Sequence, residues 1–179
     1  MIYCANVGDS RAAILSREPK NWNLLHLSTD HVPSIPQEKQ RILAMGGRIE
    51  PSKMPGSIFS DRGPLRVWKQ REDAPGLMMS RSFGDKVGHS VGIIATPEIT
   101  MKTYQPTYKA LIVASDGVWG VLSDTIVSNI LAKHSKDSNS EAAAQEIITR
   151  SSNEWKLNST YRDDITVVVA YWQKEQDYN

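Results

Sequence analysis

The sequence predicts an α+β fold in which a β-sheet packs against a layer of helices. β-prone apolar runs lie near both ends of the chain, and two consecutive helix-like segments precede the last of them. Outer strands with paired helices are typical of a sheet that is covered by a helical layer. The chain has 179 residues, which corresponds to one domain, or part of one, with a substantial buried core.

The first third of the chain predicts three strands and one helix. The turn signal Gly8-Asp9 separates two β-prone runs, which together predict a hairpin. Pro36 suits the first turn of a helix, and the pair Gly46-Gly47 ends it. The predicted strands are 2–7, 12–15 and 23–27, and the helix runs from Pro36 to the glycine pair.

The middle of the chain is rich in proline, glycine and basic residues over 51–76. This composition predicts a long, partly mobile surface flap with a short strand near 65–68, and such long excursions in compact domains are often functional. Beyond it, the polar segment 80–85 by itself predicts a capped helical turn with an ion pair between Arg81 and Asp85.

The C-terminal half predicts strands on either side of a pair of helices. Ser123 is placed to cap the first helix, and Ser138 with Glu141 has capping-box spacing for the second. The last run is apolar on both faces, which predicts a central strand covered on both sides. The expected strands lie at 100–104, 110–115 and 165–172, and a polar tail follows at 173–179.

Charge and composition exclude several classes of protein. Lys and Arg number 21 and Asp and Glu 20, so the net charge of +1 argues against a strongly basic nucleic-acid binder. The longest apolar runs fall far short of the ~20 residues that a membrane span needs. The single cysteine, Cys4, cannot form an internal disulfide, and it fits a reducing compartment. We therefore expect no nucleic-acid partner and no membrane partner.

Aspartates at the ends of two predicted buried strands form the candidate site. Asp116 follows the apolar run 111–114 and precedes Gly117, while Asp163-Asp164 precedes the last strand. If these strands are neighbours, the carboxylates meet at one end of the sheet, where their mutual repulsion favours a bound Mg²⁺ or Mn²⁺. Asp-Gly is also a common turn dipeptide and an Asp before a strand often caps a loop, so the residues alone leave both interpretations open.

Seven short motifs are distributed along the chain between residues 5 and 167. They are Ala5-Asn6-Val7-Gly8-Asp9-Ser10-Arg11-Ala12, Asp30-His31, Glu38 with Arg41-Ile42 and Gly46-Gly47, Gly76-Leu77 with Ser80-Arg81-Ser82-Phe83-Gly84-Asp85, Thr96-Pro97-Glu98, Ala114-Ser115-Asp116-Gly117-Val118-Trp119, and Arg162-Asp163-Asp164-Ile165-Thr166-Val167. Together they resemble the metal-dependent PPM family of Ser/Thr protein phosphatases, the type 2C phosphatases.

The resemblance implies a PPM-type β-sandwich flanked by antiparallel helix pairs, with residues 1–172 as part of one such domain. It implies hydrolysis of phosphoserine and phosphothreonine in proteins by a water that two Mg²⁺ or Mn²⁺ ions activate. Asp116 and Asp163 match the ligands of this centre. Asp30 matches a third, weaker metal site in which Asp116 also takes part. Phosphoproteins are the implied substrates, and the cytoplasm, the nucleus or both are the expected location.

The sequence also departs from the family pattern, because the family's early segment is absent. That segment carries an Arg that contacts phosphate and an Asp-Gly-His-Gly-Gly motif, so we expect an N-terminally incomplete fold without the family's catalytic Arg and His. His31 belongs to another motif and does not replace that His, and Asp164 stands where many members have Asn. The competing hypothesis is a catalytically inactive fragment or pseudophosphatase that acts as a binding or regulatory module. The missing N-terminal part of the same domain is a further expected partner.

Overall fold

The structure is a computed structural model that describes residues 1–52, 63–159 and 161–173. The chain divides into two compact units. Unit 1 comprises Met1–Ala5, Ser10–Thr29 and the chain from Ile99 onward, and unit 2 comprises Asn6–Asp9 and Asp30–Glu98.

The described residues contain strands and helices in the mixed order that an α+β fold requires. They are β1 (Ile2–Asn6), β2 (Arg11–Arg17), β3 (Trp22–His26), α1 (Pro36–Ala44), β4 (Gly47–Pro51), β5 (Leu65–Lys69), β6 (Glu72–Leu77), α2 (Lys86–His89), β7 (Glu98–Lys102), β8 (Tyr108–Ala114), α3 (Asp116–Trp119), α4 (Asp124–His134), α5 (Ser140–Asn158) and β9 (Val167–Tyr171).

The main sheet of unit 1 has the strand order β3-β2-β8-β9, and all of its pairs are antiparallel. Alternate side chains of β2 point to opposite faces of this sheet. Ala13 and Leu15 join the core beneath α4 and α5, whereas Ala12 and Ile14 join a second core on the other face. Strand β2 is therefore an inner strand of this sheet, and it is buried on both faces over most of its length.

The predicted hairpin between the first two strands is wrong, because β1 pairs with β7 in a separate two-stranded sheet. Ile2 and Cys4 of β1 pack against the same core as Ala12 and Ile14 of β2. The two strands thus lie in stacked sheets, as in a sandwich, and Gly8, with its φ of 108°, belongs to the connection between them rather than to a tight hairpin.

The last strand also differs from its prediction, because β9 is the final strand of the described sheet and not a central one. Val167, Val169 and Tyr171 pack against the core beneath the helices. Val168 faces the other way and is 61% exposed. The apolar composition of both faces indicated burial on both sides, but in the described chain only one face of β9 is covered.

The helices of unit 1 begin close to where the sequence predicts. The Ser123 side chain accepts a hydrogen bond from the Ile126 amide and caps α4, as predicted. The capping-box prediction for α5 is wrong by one residue, because the Asn139 side chain accepts from the amide of Ala142 at 2.9 Å. Ser138 instead adopts a φ of 50° in the connection before it.

Unit 2 contains the sheet β4-β5-β6, with α1 and α2 packed beside it. Its core consists of Ile42 of α1, Val67 of β5, and Val91 with Ile93 after α2. The helix α1 was predicted correctly, and Gly46 follows its end with a φ of 78°.

The predicted flap over 51–76 contains more regular structure than the sequence indicated, since 65–69 and 72–77 form two strands of the sheet in unit 2. Residues 53–62 of the flap lie outside the described residues, as do 174–179 of the predicted tail. None of the helices that the structure describes has the length and apolar character needed to cross a membrane.

Candidate functional site

The predicted convergence of aspartates occurs at one end of the main sheet in unit 1. Strand β8 ends at Ala114, which pairs with Val167 at the start of β9. Asp116, two residues beyond β8, and the Asp163-Asp164 pair, just before β9, therefore lie at the same end of two neighbouring strands. Strands β8 and β9 are therefore adjacent, which is the condition on which the predicted convergence depended.

Ser115 connects the two segments that carry these aspartates. Its hydroxyl donates a hydrogen bond to the carbonyl oxygen of Asp164 and accepts one from the amide of Thr166, both at 3.1 Å. Its own amide donates to the carbonyl oxygen of Thr166 at 3.0 Å. The residue before Asp116 thus holds the chain on both sides of Ile165.

Gly117 permits the close approach of the two segments. A Cβ atom at this position would collide with the carbonyl oxygen of Asp164. The indole Nε1 of Trp155, in α5, donates a hydrogen bond to the carbonyl oxygen of Gly117 at 2.8 Å. The turn after Asp116 is therefore fixed from one side by α5 and from the other by the segment before β9.

Tyr161 lies beside the aspartates. Its hydroxyl donates to Asp163 Oδ1 at 3.5 Å, and the same oxygen accepts the Asp164 amide at 2.8 Å. The negative charge of Asp163 is the main cause that raises the pKa of Tyr161, and some loss of hydration and the charges of Asp164 and Asp116 add to it. Its ring packs edge-on against Trp155, with the two centroids 6.3 Å apart. All three carboxylates thus act on one hydroxyl group, which indicates a concentrated negative charge.

The chemistry of this donor set suits a hard cation. Asp116 and Asp163 are half-buried carboxylates on segments with fixed backbones, and carboxylate oxygens are preferred ligands of Mg²⁺ and Mn²⁺. The set from this chain is small, however. Across residues 1–52, 63–159 and 161–173, no group of three or more His, Cys, Asp or Glu side chains is arranged to hold a metal.

Asp30 lies in unit 2, where it is half-buried and precedes His31. His31 is 3% exposed, and its Nδ1 accepts a hydrogen bond from the Gly8 amide at 3.2 Å. Its Nε2 lies 3.4 Å from Glu98 Oε2, a close contact that lacks hydrogen-bond geometry. Burial and the charge of Arg81 lower the pKa of His31. These contacts give His31 a structural role in unit 2.

Unit 2 contains a buried ion-pair network that the sequence analysis did not predict. The Glu38 side chain is 2% exposed, and its carboxylate accepts hydrogen bonds from Arg41 at 2.7 and 2.9 Å and from Arg81 at 2.7 Å. The Ser80 hydroxyl donates to it at 2.6 Å. The predicted pair of Arg81 with Asp85 is therefore wrong, because the partner of Arg81 comes from α1. The spacing of Glu38 and Arg41, three residues apart on one helix, was the signal that could have indicated the first of these pairs.

Comparison with known proteins decides the family. A family model described as protein phosphatase 2C matches residues 1–155. The chain belongs to the protein phosphatase 2C family. "Probable protein phosphatase 2C 61" of Arabidopsis thaliana is 35% identical over 179 aligned positions, which cover 98% of this chain and 52% of the relative. "Probable protein phosphatase 2C 12" of Oryza sativa subsp. japonica is 36% identical, with 95% of this chain and 42% of the relative covered. The chain spans about half the length of these curated relatives.

Solved structures agree with the family at the level of the fold. The serine-threonine phosphatase 2C from Toxoplasma gondii matches with a TM-score of 0.81 at 24% identity, over 96% of this chain and 54% of that protein. A phosphatase from a pathogenic strain of Toxoplasma gondii matches with a TM-score of 0.65 at 27% identity, over 94% and 47%. The predicted α+β fold of PPM type, present in part, is confirmed.

Proposed function

We propose that this chain is part of a phosphatase that hydrolyses phosphoserine and phosphothreonine in proteins and depends on Mg²⁺ or Mn²⁺. The observation that carries the proposal is the placement of Asp116 and Asp163 at one end of adjacent strands, in a chain of the protein phosphatase 2C family. Because the chain spans about half the length of its relatives, the proposal assigns the activity to the complete domain.

Within this proposal, Asp116 and Asp163 hold the metal ions of a two-metal centre, and Asp30 contributes to a third, weaker site. A bound divalent metal supplies an activated water and neutralises charge on the phosphoryl group. The chain's own residues orient the carboxylates: Ser115 holds the segment before β9, and Trp155 fixes the turn after Asp116.

The remaining part of the domain is the first partner that we propose. Unit 1 exposes apolar side chains on its two-stranded sheet, where Tyr3, Ile99 and Met101 are 67%, 63% and 62% exposed. Val113 and Val168, opposite each other on β8 and β9, are also exposed. Large exposed apolar side chains that are grouped on neighbouring strands are typical of a surface that binds a partner. It supports a sandwich that further strands and helices complete.

Phosphoproteins are the proposed substrates, and the cytoplasm, the nucleus or both are the proposed location. Neither a nucleic-acid partner nor a membrane partner is proposed. The net charge of +1 does not favour a polyanion.

A second candidate function is a catalytically inactive binding or regulatory module. It is favoured by the absence, within the described ranges, of any group of three metal-ligating side chains. A pair of carboxylates without further ligands is a weak site for a divalent cation.

One experiment separates these functions. Phosphate release from a phosphothreonine peptide is measured for the 179-residue chain alone, and for the chain mixed with the part of the Arabidopsis relative that it does not cover. Each sample receives either millimolar Mn²⁺ or excess chelator. Metal-dependent release that Asp116→Asn abolishes supports the phosphatase. Release that persists in chelator contradicts it, and no release from a folded mixture supports the inactive module.

A further inference from the structure

We propose that Ser115 is a positioning residue that sets the separation of Asp116 and Asp163. The inference rests on the proposed function, since it assigns Ser115 a role toward the metal ions that these carboxylates would hold. Its basis is the set of hydrogen bonds that joins the end of β8 to the segment before β9.

The position of Ser115 makes its side-chain contacts informative. It is the N-cap residue of α3, with an extended backbone at φ −74° and ψ 170°. A serine at an N-cap normally accepts a hydrogen bond from an amide in the first turn of the helix. Here the side chain makes no such bond and turns instead toward Asp164 and Thr166. The hydroxyl is therefore committed to the second carboxylate segment rather than to its own helix.

A hydroxyl group is suited to this task because it donates and accepts at the same time. It donates to the Asp164 carbonyl and accepts from the Thr166 amide, so it fixes two backbone groups that lie two residues apart. Asp163 is the next residue toward the N-terminus. The same serine directly precedes Asp116, so one side chain fixes the segments that carry both carboxylates.

The side chain can be removed without removing the strand pairing. The main-chain hydrogen bond from the Ser115 amide to the Thr166 carbonyl, at 3.0 Å, does not need the hydroxyl. The pairing of Ala114 with Val167 is also independent of it. Truncation at Ser115 therefore loosens the segment before β9 while the sheet stays in register, which separates a positioning role from a role in folding.

The expected consequence is a weaker metal site. Groups that orient metal ligands typically contribute roughly 10–100-fold to metal affinity. We expect the lower end of this range for Ser115→Ala, because Gly117 and Trp155 still hold the turn after Asp116. Ser115→Thr keeps a hydroxyl on an extended backbone, and it should restore affinity to within about threefold of the wild type.

The test is a Mn²⁺ titration of the ¹⁵N-labelled 179-residue chain. Paramagnetic broadening of the amides at 115–117 and 163–166 gives an apparent Kd, and hydrogen exchange of the Thr166 amide without metal reports the loosened segment. Ser123→Ala is the matched control, because it removes a serine N-cap from α4 without touching either carboxylate segment. It should lower the melting temperature and leave the Mn²⁺ affinity unchanged.

The result that supports the inference is an affinity about tenfold weaker in Ser115→Ala, with faster Thr166 exchange and rescue by Ser115→Thr. Equal Mn²⁺ affinity in wild type and Ser115→Ala overturns the inference and leaves the proposed metal site intact. If the wild-type chain shows no Mn²⁺-dependent broadening of these amides, the metal site fails in this chain and the inference fails with it. The two failures are therefore distinguishable.

Discussion

Replacing Glu38 with alanine should destabilise unit 2 more than the substitution of an exposed residue would, because the change leaves two arginines without their counter-charge. Glu38 is 2% exposed and accepts hydrogen bonds from Arg41, Arg81 and Ser80. Breaking a buried ion pair from one side costs about 3–5 kcal/mol, since the remaining charge has lost its water and its partner.

The magnitude for this site follows from what the two arginines keep. Arg41 still donates to the carbonyl oxygens of Gly92 at 2.7 Å and Ser80 at 2.8 Å, and Arg81 still donates to that of Thr96 at 2.9 Å. Their side chains are 23% and 17% exposed, so water reaches part of each guanidinium group. We therefore expect the lower end of the range, about 3 kcal/mol of unfolding free energy.

Urea unfolding measured by ¹⁹F NMR on fluorotryptophan-labelled protein provides the assay. Trp68 is the tryptophan of unit 2, and it reports that unit separately from the tryptophans of unit 1. With a urea dependence of about 1–3 kcal/mol per molar, the midpoint of the Trp68 transition should fall by roughly 1–3 M. Gln40→Ala, at an exposed position of the same helix in unit 2, is the control and should change stability by less than about 0.5 kcal/mol. A Glu38→Ala midpoint that matches this control would refute the reasoning.

Three further predictions follow from the same structure. Burial would raise the pKa of Glu38, but hydrogen bonds from arginine and serine outweigh it and hold that pKa well below 4.5. The ionised Glu38 therefore stabilises the fold above pH 4.5, and this stabilisation is lost as the pH falls below that value. The urea midpoint of Glu38→Gln should accordingly depend less on pH below pH 4.5 than the midpoint of the wild type. Gly117→Ala should lower the melting temperature by several degrees, because its Cβ collides with a carbonyl oxygen before β9, whereas Gly63→Ala, with only an ordinary contact at 3.8 Å, should not; equal melting temperatures would contradict this. Asn139→Ala should cost about 1 kcal/mol of unfolding free energy as α5 loses its cap, while Ser138→Gly should cost nothing because Ser138 has a φ of 50°; a larger loss at Ser138 would show that the original capping assignment was right.

The sequence predicts correctly those structural elements that local sequence signals determine. The helix α1 between Pro36 and the glycine pair, the Ser123 cap and the apolar strand before Asp116 all depend on residues within a few positions of one another. The convergence of Asp116 and Asp163 was also predicted, although only on the condition that their strands are neighbours.

The features that were missed depend on pairings between distant segments. The turn signal at Gly8 correctly indicates a change of direction, but it cannot show that β1 pairs with β7 rather than with β2. The partner of Arg81 is 43 residues away on α1 and not four residues away at Asp85. Apolar residues on both faces of β9 indicate surfaces that can be buried, and they do not show which strands or helices bury them.

The spacing of the two carboxylates is a consequence of strand register. Val167, Val169 and Tyr171 of β9 pack beneath the helices, and Tyr171 also donates a hydrogen bond to the Leu131 carbonyl at 2.7 Å. A slip of β9 by one residue would turn these side chains out of the core and bring Val168 into it. It would also move Asp163 by about 3.3 Å relative to Asp116, which is more than a metal site tolerates. The apolar core therefore sets the register, the register brings the aspartates together, and Ser115 sets the remaining distance at the point where the ladder ends.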